Sequence, residues 1–243
     1  MQLQRLADRA EMLFGISLDP TTLDQLAFYA QEMRDWNENR ANLTAITDPD
    51  EIEVKHFLDS ISLLAHIDIP ENCRVADIGT GAGFPGLVLK ILRPDVHLTL
   101  IESSGKKTVF LDHMVAQLNL EDVRVLKMRV ESVGMDLNYR ETYDLVVARA
   151  VAYLPALVEY MLPLCVIDGR CIAMKGGSAL AEVQTAEAAI ETLGGRFVNM
   201  HSVMLPDIEE PHMLIVIDKI RMTPSAFPRR VGVPTKRPLV ADE

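Results

Sequence analysis

The feature that most constrains this chain is a glycine-rich turn between two apolar segments. The first apolar segment, Val75–Ile78, is short and contains one acidic residue, Asp77. The second apolar segment is Leu87–Leu92. With the turn Gly79–Gly86, they predict a buried strand, a tight turn and a helix opened by Pro85. Alternating glycines let the backbone lie against a ligand, and the helix N-terminus favours an anionic group. The sequence therefore predicts a nucleotide-type cofactor site.

Two classes of cofactor site fit this turn. Gly81–Gly86 satisfies G-x-G-x-x-G, which is typical of dinucleotide-binding domains, but it begins too far beyond the strand. Read from Asp77, the pattern D-x-G-x-G resembles the signature of class I S-adenosylmethionine-dependent methyltransferases. Glu102 ends the next predicted strand and is placed to accept both ribose hydroxyls, as in both classes. The spacing favours the methyltransferase, and a nicotinamide-dependent oxidoreductase is the alternative.

Strands and helices alternate from Arg74 onward, which predicts a doubly wound α/β sheet. The predicted strands are residues 74–78, 97–101, 123–127, 143–148 and 166–173. The predicted helices are residues 85–92, 105–118, 153–162 and 178–192. Two further apolar runs, 196–204 and 212–220, predict a closing antiparallel pair, which methyltransferase sheets have. We therefore expect an α/β class I S-adenosylmethionine-dependent methyltransferase (Rossmann-like) fold with a seven-stranded sheet.

Three segments are predicted along the chain. Residues 1–72 form a helical N-terminal extension, 73–220 the methyltransferase domain, and 221–243 a basic C-terminal tail. Within the extension, Asp19-Pro20 caps a helix whose apolar residues recur at helical spacing, and a second helix is expected over residues 51–65.

Charge is distributed unevenly among these segments. Residues 1–72 carry a net charge of −9, residues 73–218 carry −6, and residues 219–243 carry +4. An acidic protein binds nucleic acid only weakly in a sequence-independent manner. We therefore expect no DNA partner and an RNA contact confined to one face of the protein. Two expectations follow for the basic tail: either Arg229 and Arg230 contact RNA, or the tail packs on the acidic N-terminal helices.

Composition also predicts where the protein works. No apolar leader opens the chain, and the apolar stretch 145–167 is broken by charges and prolines, so no membrane span is expected. Cys73, Cys165 and Cys171 lack C-x-x-C spacing, which predicts buried thiols in a reducing cytoplasm and no metal site. We expect a cytoplasmic monomer.

Several motifs stand out along the chain: Asn42–Ile46, His56–Ser60, Asp77–Gly86, Lys106-Lys107 with Phe110-Leu111, Arg129–Glu131, Arg149-Ala150, Lys175-Gly176 and Pro228–Leu239. Together they resemble the family of ribosomal RNA small subunit methyltransferase G. Lys55 and Val130 replace residues that are common in the family. The resemblance implies S-adenosyl-L-methionine-dependent methylation of a guanine N7 in 16S ribosomal RNA, with that RNA or a small-subunit ribonucleoprotein as partner.

The chain lacks the sequence marks of other methyltransferase chemistries. Methylation of an exocyclic amine goes with an N/D-P-P-Y/F turn, and the chain contains no Pro-Pro pair. Methylation at a pyrimidine C5 needs a cysteine nucleophile, whereas Cys165 and Cys171 fall at or within a predicted strand. Guanine N7 already carries a lone pair, so alignment alone can drive its methylation. A cofactor sensor without catalysis remains a third possibility.

The resemblance also implies roles for the residues at strand ends. Gly79 and Gly81 admit the cofactor. Phe84 is either a bulky side chain where the loop turns toward the helix or an aromatic residue of the core. Glu131 follows the third strand, where such folds hold the adenine. Glu131 is alternatively an acid that starts a helix. The predicted cofactor-binding residues are Asp77, Gly79, Gly81, Phe84, Glu102, Val130, Glu131 and Arg149.

Arg149 is the predicted catalytic residue, because it ends the fourth strand at the edge where ligands bind. It holds the methionine carboxylate or orients the guanine, or else it forms a structural ion pair. Lys175 ends the next strand and either contacts RNA or extends its stem over apolar surface. His56 and Asp59 lie one helical turn apart and line the same opening. The predicted substrate-binding residues are His56, Asp59, Lys175, Arg229 and Arg230.

Overall fold

The computed structural model describes residues 3–240, apart from the side chain of Gln4. Seven strands form one sheet: β1 (Arg74–Ile78), β2 (His97–Glu102), β3 (Val123–Lys127), β4 (Tyr143–Arg149), β5 (Cys165–Lys175), β6 (Gly195–Val203) and β7 (His212–Lys219). Their order across the sheet is β3-β2-β1-β4-β5-β7-β6, and β7 runs antiparallel to both of its neighbours. The predicted seven-stranded sheet and its closing antiparallel pair are confirmed.

Helices cover both faces of this sheet. They are α1 (Gln4–Phe14), α2 (Pro20–Asn39), α3 (Pro49–Ile52), α4 (Asp59–His66), α5 (Gly86–Leu92), α6 (Gly105–Gln117), α7 (Val130–Met135), α8 (Leu154–Met161), α9 (Ala179–Thr192) and α10 (Val233–Lys236). Helix α7 was not among the predicted helices, and α5 begins at Gly86 because Pro85 occupies the capping position. None of the described helices is long and apolar enough to cross a bilayer.

Strand pairing brings the predicted site residues to one edge of the sheet. β1, β2, β4 and β5 run parallel, with Ile78 paired to Ile101 on one side and to Ala148 on the other. Parallel strands end at the same edge, so the residues after β1, β2, β4 and β5 meet there. The strand order reverses between β1 and β4, which is where ligands bind in open α/β sheets.

The helical extension packs directly on the sheet. Asp19 caps α2 by accepting a hydrogen bond from the Thr22 N–H, as its place before Pro20 predicts. The predicted helix over 51–65 is a continuous run from α3 to α4 with a π-helical segment, Glu53–Leu58, in its middle. Buried residues of this extension, such as Tyr29 and Phe57, share one apolar cluster with sheet residues such as Val75. The apolar core therefore continues across the predicted boundary at residue 72.

Candidate functional site

The glycine turn after β1 needs glycine for two reasons. Gly79 and Gly81 have φ angles of +62° and +63°, in the left-handed region that side chains disfavour. A Cβ at Gly79 would also lie 2.7 Å from Cγ2 of Val151, a residue of the loop that follows β4. The turn is therefore pressed against the β4 loop, and its Gly79, Thr80 and Gly81 N–H groups are bonded to Ile101 and Glu102 at the end of β2.

Asp77 holds this turn from inside the protein. Its Oδ2 accepts hydrogen bonds from the Gly86 N–H at 2.8 Å and from the Thr80 hydroxyl at 2.6 Å. Oδ1 has no hydrogen-bond partner among the described residues, and burial raises the pKa of this carboxyl to about 7. The fully buried carboxyl positions the loop and does not line the adjacent cavity, and the predicted role of Asp77 toward the cofactor stays a prediction.

A cavity of about 310 Å³ opens beside the turn, and we call it the glycine-loop cavity. Glu102 is held at its wall, where Oε2 accepts the Gly81 N–H at 3.1 Å and Oε1 accepts the Ser104 N–H at 2.7 Å. The carboxylate keeps further lone pairs for hydroxyl donors in the cavity. Its lining includes Gly79, Glu102, Ser103, Val130, Glu131 and Val151. The structure thus brings together four of the predicted cofactor residues, with Gly81 bonded to one of them.

The C-terminal tail forms a further wall of the glycine-loop cavity, which the sequence reasoning missed. Val231, Gly232 and Thr235 line it, and the Gly232 N–H donates to Glu131 Oε1 at 2.8 Å. Glu131 therefore ties the tail in place instead of facing a ligand with both oxygens. No local pattern in the sequence indicates this contact, because it joins residues 101 positions apart.

Arg229 anchors the same tail. Its guanidinium donates from Nη2 to Glu159 Oε2 at 2.6 Å and from Nε to Glu159 Oε1 at 2.9 Å, and Glu159 is fully buried in α8. The structure corrects the prediction that Arg229 contacts RNA, since its charge is used inside the protein. The alternative of a tail packed on the N-terminal helices is also wrong, because the tail packs on α8. Arg230 is exposed and stays a predicted RNA contact.

A second cavity, of about 500 Å³, lies on the other side of the β4 loop, and we call it the histidine cavity. Four residues predicted separately from the sequence line it together: His56, Asp59, Arg149 and Lys175. His212, at the start of β7, completes the polar part of the lining. Sequence reasoning missed His212, since nothing near it in the chain marks it.

Arg149 ties β4 to the π-helical segment. Its Nη1 donates to the Lys55 carbonyl at 2.8 Å and to Asp59 Oδ2 at 3.0 Å, while Nη2 lies 3.2 Å from His56 Nδ1. The π-helical turn is a type of irregularity that occurs often at functional sites. The structure thus shows the ion pair that was the alternative to a catalytic or cofactor-binding Arg149, and Arg149 does not line the glycine-loop cavity.

Phe84 lies beneath this arrangement. Its ring stacks on His56 with centroids 4.5 Å apart and on Tyr29 with centroids 5.0 Å apart, and the Arg149 guanidinium lies 5.1 Å from it. Phe84 is 3% exposed. Phe84 thus packs as an aromatic of the core that supports both the glycine turn and the histidine cavity, and its contact with the cofactor stays a prediction.

The titratable groups of the histidine cavity are strongly coupled. Burial and the charge of Arg149 lower the pKa of His56 to about 3, so its imidazole is neutral. Burial opposes the ionisation of Asp59, but the hydrogen bond from His212 and the charge of Arg149 outweigh it and lower the pKa of this carboxyl. The Asp59 hydrogen bond raises the pKa of His212. An anionic Asp59 thus lies between two donors, Arg149 and His212.

Lys175 is also engaged by the protein. Its ammonium donates to the Ala152 carbonyl at 2.7 Å and forms an ion pair with Glu182 at 2.6 Å. The Ala152 carbonyl belongs to the β4 loop and Glu182 to α9, so the lysine joins these two elements. This placement leaves its role toward RNA a prediction.

The β4 loop separates the two cavities. Val151 lines the glycine-loop cavity, and Arg149 and Ala150 line the histidine cavity. Ala150 has a φ of +53°, an unusual conformation for a residue with a Cβ. A group bound in each cavity would meet its neighbour at this loop, at the carboxyl edge of the sheet.

Comparison with protein families matches residues 22–212 to the family described as rRNA small subunit methyltransferase G. Two relatives are named ribosomal RNA small subunit methyltransferase G. The relative from Roseiflexus sp. (strain RS-1) is 51% identical over 93% of this chain and 95% of its own length. The relative from Roseiflexus castenholzii is also 51% identical, over 93% of this chain and 96% of its own length.

Solved structures resemble this one in fold. The methyltransferase chain in a complex with the Haloferax volcanii Trm112 methyltransferase activator superposes with a TM-score of 0.56, covering 78% of this chain and 98% of that chain. Its sequence identity is 14%, so this likeness concerns the fold alone.

Proposed function

We propose that this chain, which belongs to the rRNA small subunit methyltransferase G family, methylates N7 of a guanine in 16S ribosomal RNA. The family predicted from the motifs is confirmed, and with it S-adenosyl-L-methionine as cofactor. The alternative prediction of a nicotinamide-dependent oxidoreductase is wrong, because the family consists of methyltransferases. The observation that carries the proposal is the pair of cavities separated by the β4 loop alone.

The residues of the glycine-loop cavity fit this cofactor. When bound, S-adenosyl-L-methionine supplies an electrophilic methyl group on a sulfonium. Glu102 would accept hydrogen bonds from the two ribose hydroxyls, since its orientation is already fixed by two backbone N–H groups. Gly79 lines the cavity beside Val151, and Val130 lies at the wall proposed for the adenine.

The histidine cavity would hold the guanine without removing a proton from it. N7 carries a free lone pair, so the reaction needs alignment rather than a general base, and alignment can contribute roughly 7–11 kcal/mol. A neutral His56 and an Arg149 bonded to Lys55, Asp59 and His56 suit this role, because they fix the cavity wall and neither is a strong base. Arg149 is then a positioning residue that holds the wall against which the base aligns.

We further propose 16S ribosomal RNA or a small-subunit ribonucleoprotein as the substrate, approached through Arg230 and the opening of the histidine cavity. The predicted monomer, the absence of DNA and membrane partners and the cytoplasmic location stay predictions.

The test is methylation of 16S RNA transcripts and of small ribosomal subunits with a labelled methyl donor, followed by mapping of the modified base. We expect label at N7 of one guanine. Glu102→Gln should weaken cofactor binding measured by calorimetry, whereas Glu121→Gln, at an exposed acid outside both cavities, should not. Label at another atom would overturn the N7 assignment, and cofactor binding without transfer to RNA would favour a sensor.

A further inference from the structure

His212 presents a hydrogen-bonding group to the histidine cavity that the protein itself does not use. Its Nδ1 lies 2.8 Å from Asp59 Oδ1, and its side chain is 30% exposed. The charged groups facing it are Asp59 from α4, Arg149 from β4 and Lys55 from the π-helical segment. Nδ1–H donates to the Asp59 carboxylate, so this pair fixes the ring and leaves Nε2 on its far side.

The other polar side chains of the cavity are already bonded within the chain. Arg149 and Lys175 donate to carbonyls and carboxylates, and His56 is bonded at both ring nitrogens, by Arg149 and by Thr44. Over residues 3–240, Nε2 of His212 has no hydrogen-bond partner. The cavity therefore holds an oriented imidazole nitrogen that is available to a ligand.

The lining also includes Lys55, Ser178 and Glu182, which are bonded within the protein, and its apolar part suits the face of a flat base. Ile46, Ala150 and Met174 contribute apolar surface to the same cavity. An apolar wall favours the faces of an aromatic ring and disfavours a phosphate, whose charge would lose its hydration. The polar group of His212 would then meet the edge of the base.

Guanine and adenine differ at the atom next to N7 on that edge. Guanine carries the O6 acceptor there, and adenine carries the N6 amino donor. An imidazolium held by Asp59 can donate from Nε2–H to O6, and it would meet an amino group donor to donor. A donor at this place discriminates between the two bases while leaving N7 free.

We propose that His212 is a specificity-determining residue that donates a hydrogen bond from Nε2–H to O6 of the acceptor guanine and rejects adenine. The inference rests on the proposed guanine N7 methylation. Asp59 is the positioning residue of this contact, because its carboxylate fixes the imidazole and favours its protonated form.

The test compares RNA substrates that carry guanosine or 2-aminopurine riboside at the target position; the analogue keeps N7 and lacks O6. For the unmodified protein, kcat/KM should fall roughly tenfold to a hundredfold on the analogue, as expected for a lost hydrogen bond to a charged group. H212A should lose a similar factor on guanosine and show no further loss on the analogue. His201→Ala, at a histidine of β6 outside the cavity, should keep the full discrimination.

Two further variants keep the result decisive. H212Q retains an N–H donor and should keep part of the discrimination, whereas H212M fills the space without a donor and replaces H212A if that variant fails to fold. If the donor-free variants discriminate between guanosine and the analogue as strongly as the unmodified protein, the inference is overturned while N7 methylation stands. If the unmodified protein does not methylate guanine N7, the proposed function itself fails.

Discussion

The two cavities lie on either side of one loop, and they are built in opposite ways. The glycine-loop cavity is formed where β1, β2 and β3 end, by Gly79, Glu102 and Val130, each positioned by its own turn. The histidine cavity joins elements distant in the chain: Arg149 bonds a carbonyl 94 positions away, and His212 bonds Asp59 across 153 positions. Local turn geometry makes most of the first cavity, with the tail added as a distant wall, whereas the second cavity depends throughout on long-range contacts.

Each cavity should be sensitive to substitution of one ion pair beside it. Each depends on one arginine paired with a buried carboxylate: Arg149 with Asp59 beside the histidine cavity, and Arg229 with Glu159 beneath the tail. The carboxylates are 2% and 0% exposed in their side chains, so neither can exchange its partner for water. Equal losses of stability should therefore come with different losses of function.

Removing Arg149 should have the largest effect. Arg149→Met leaves Asp59 buried with one donor fewer, which costs about 3–5 kcal/mol of unfolding free energy. Methyl transfer by the folded fraction should fall at least about a hundredfold, because the cavity wall loses the tie that aligns the base. Urea unfolding and single-turnover methylation of the same preparation measure both. Arg149→Lys should recover part of the stability and little of the rate, since one ammonium cannot reach both Asp59 and His56.

Arg229→Met is the matched variant on the other side of the loop. It removes the charged partner of the fully buried Glu159 and should lower the unfolding free energy by a similar amount, about 3–5 kcal/mol. Here, however, the cofactor Kd should rise, because Gly232 and Thr235 lose their fixed place at the glycine-loop cavity. If both variants weakened cofactor binding and slowed methyl transfer to RNA to the same extent, the two cavities would not be independent of each other.

A smaller effect is expected from Gly79→Ala. The substitution forces a left-handed φ on alanine, at about 1–3 kcal/mol, and pushes its Cβ into Val151. Gly15→Ala is a matched control, because Gly15 has a φ of +65° with nothing within 4 Å of the added Cβ. Both should lower the melting temperature, but Gly79→Ala alone should weaken cofactor binding by calorimetry. Normal cofactor affinity in Gly79→Ala would show that the loop tolerates movement of the wall.

The sequence predicted the first cavity better than the second, for a physical reason. A glycine turn followed by an acid at the next strand end is a local pattern, and parallel pairing brings such ends together automatically. Gly79, Glu102 and Val130 were placed in this way. The structure buries the side chains of Asp77, in β1, and of Phe84, in the turn. The motif did not predict this burial, because spacing alone does not show which side chains face the core.

For the second cavity, the sequence identified residues without their partners. His56 and Asp59 were predicted at one opening, Arg149 and Lys175 were predicted at the ends of two strands, and the structure places all four together. His212 and the tail contacts of Glu131 and Glu159 were missed, because no periodicity links residues so far apart. The π-helical segment was also missed, since a single widened turn leaves the apolar pattern of the helix almost unchanged.

His56 should make the second cavity sensitive to acid. Its pKa is lowered from 6.5 to about 3 in the folded protein, so between these values the unfolded chain binds a proton that the folded chain does not. Its contribution to stability is therefore present above pH 6.5 and is lost as the pH falls toward 3, by about 2 kcal/mol between pH 6.5 and 5. H56Q should flatten the pH dependence of the unfolding free energy by this amount. Parallel curves for the two proteins would mean that His56 takes up a proton without cost.

The smallest effect separates two adjacent arginines of the tail. Arg229 is held by Glu159, whereas Arg230 is exposed, so only Arg230 is free to meet an RNA phosphate. Arg230→Ala should reduce the slope of log affinity against log salt by roughly 0.7–0.9 while changing stability by less than about 0.5 kcal/mol. Arg196→Ala, at an exposed arginine of β6, serves as the control and should leave the slope unchanged. An unchanged slope in Arg230→Ala would remove the tail from the RNA-binding surface and leave the tail with its role at the glycine-loop cavity.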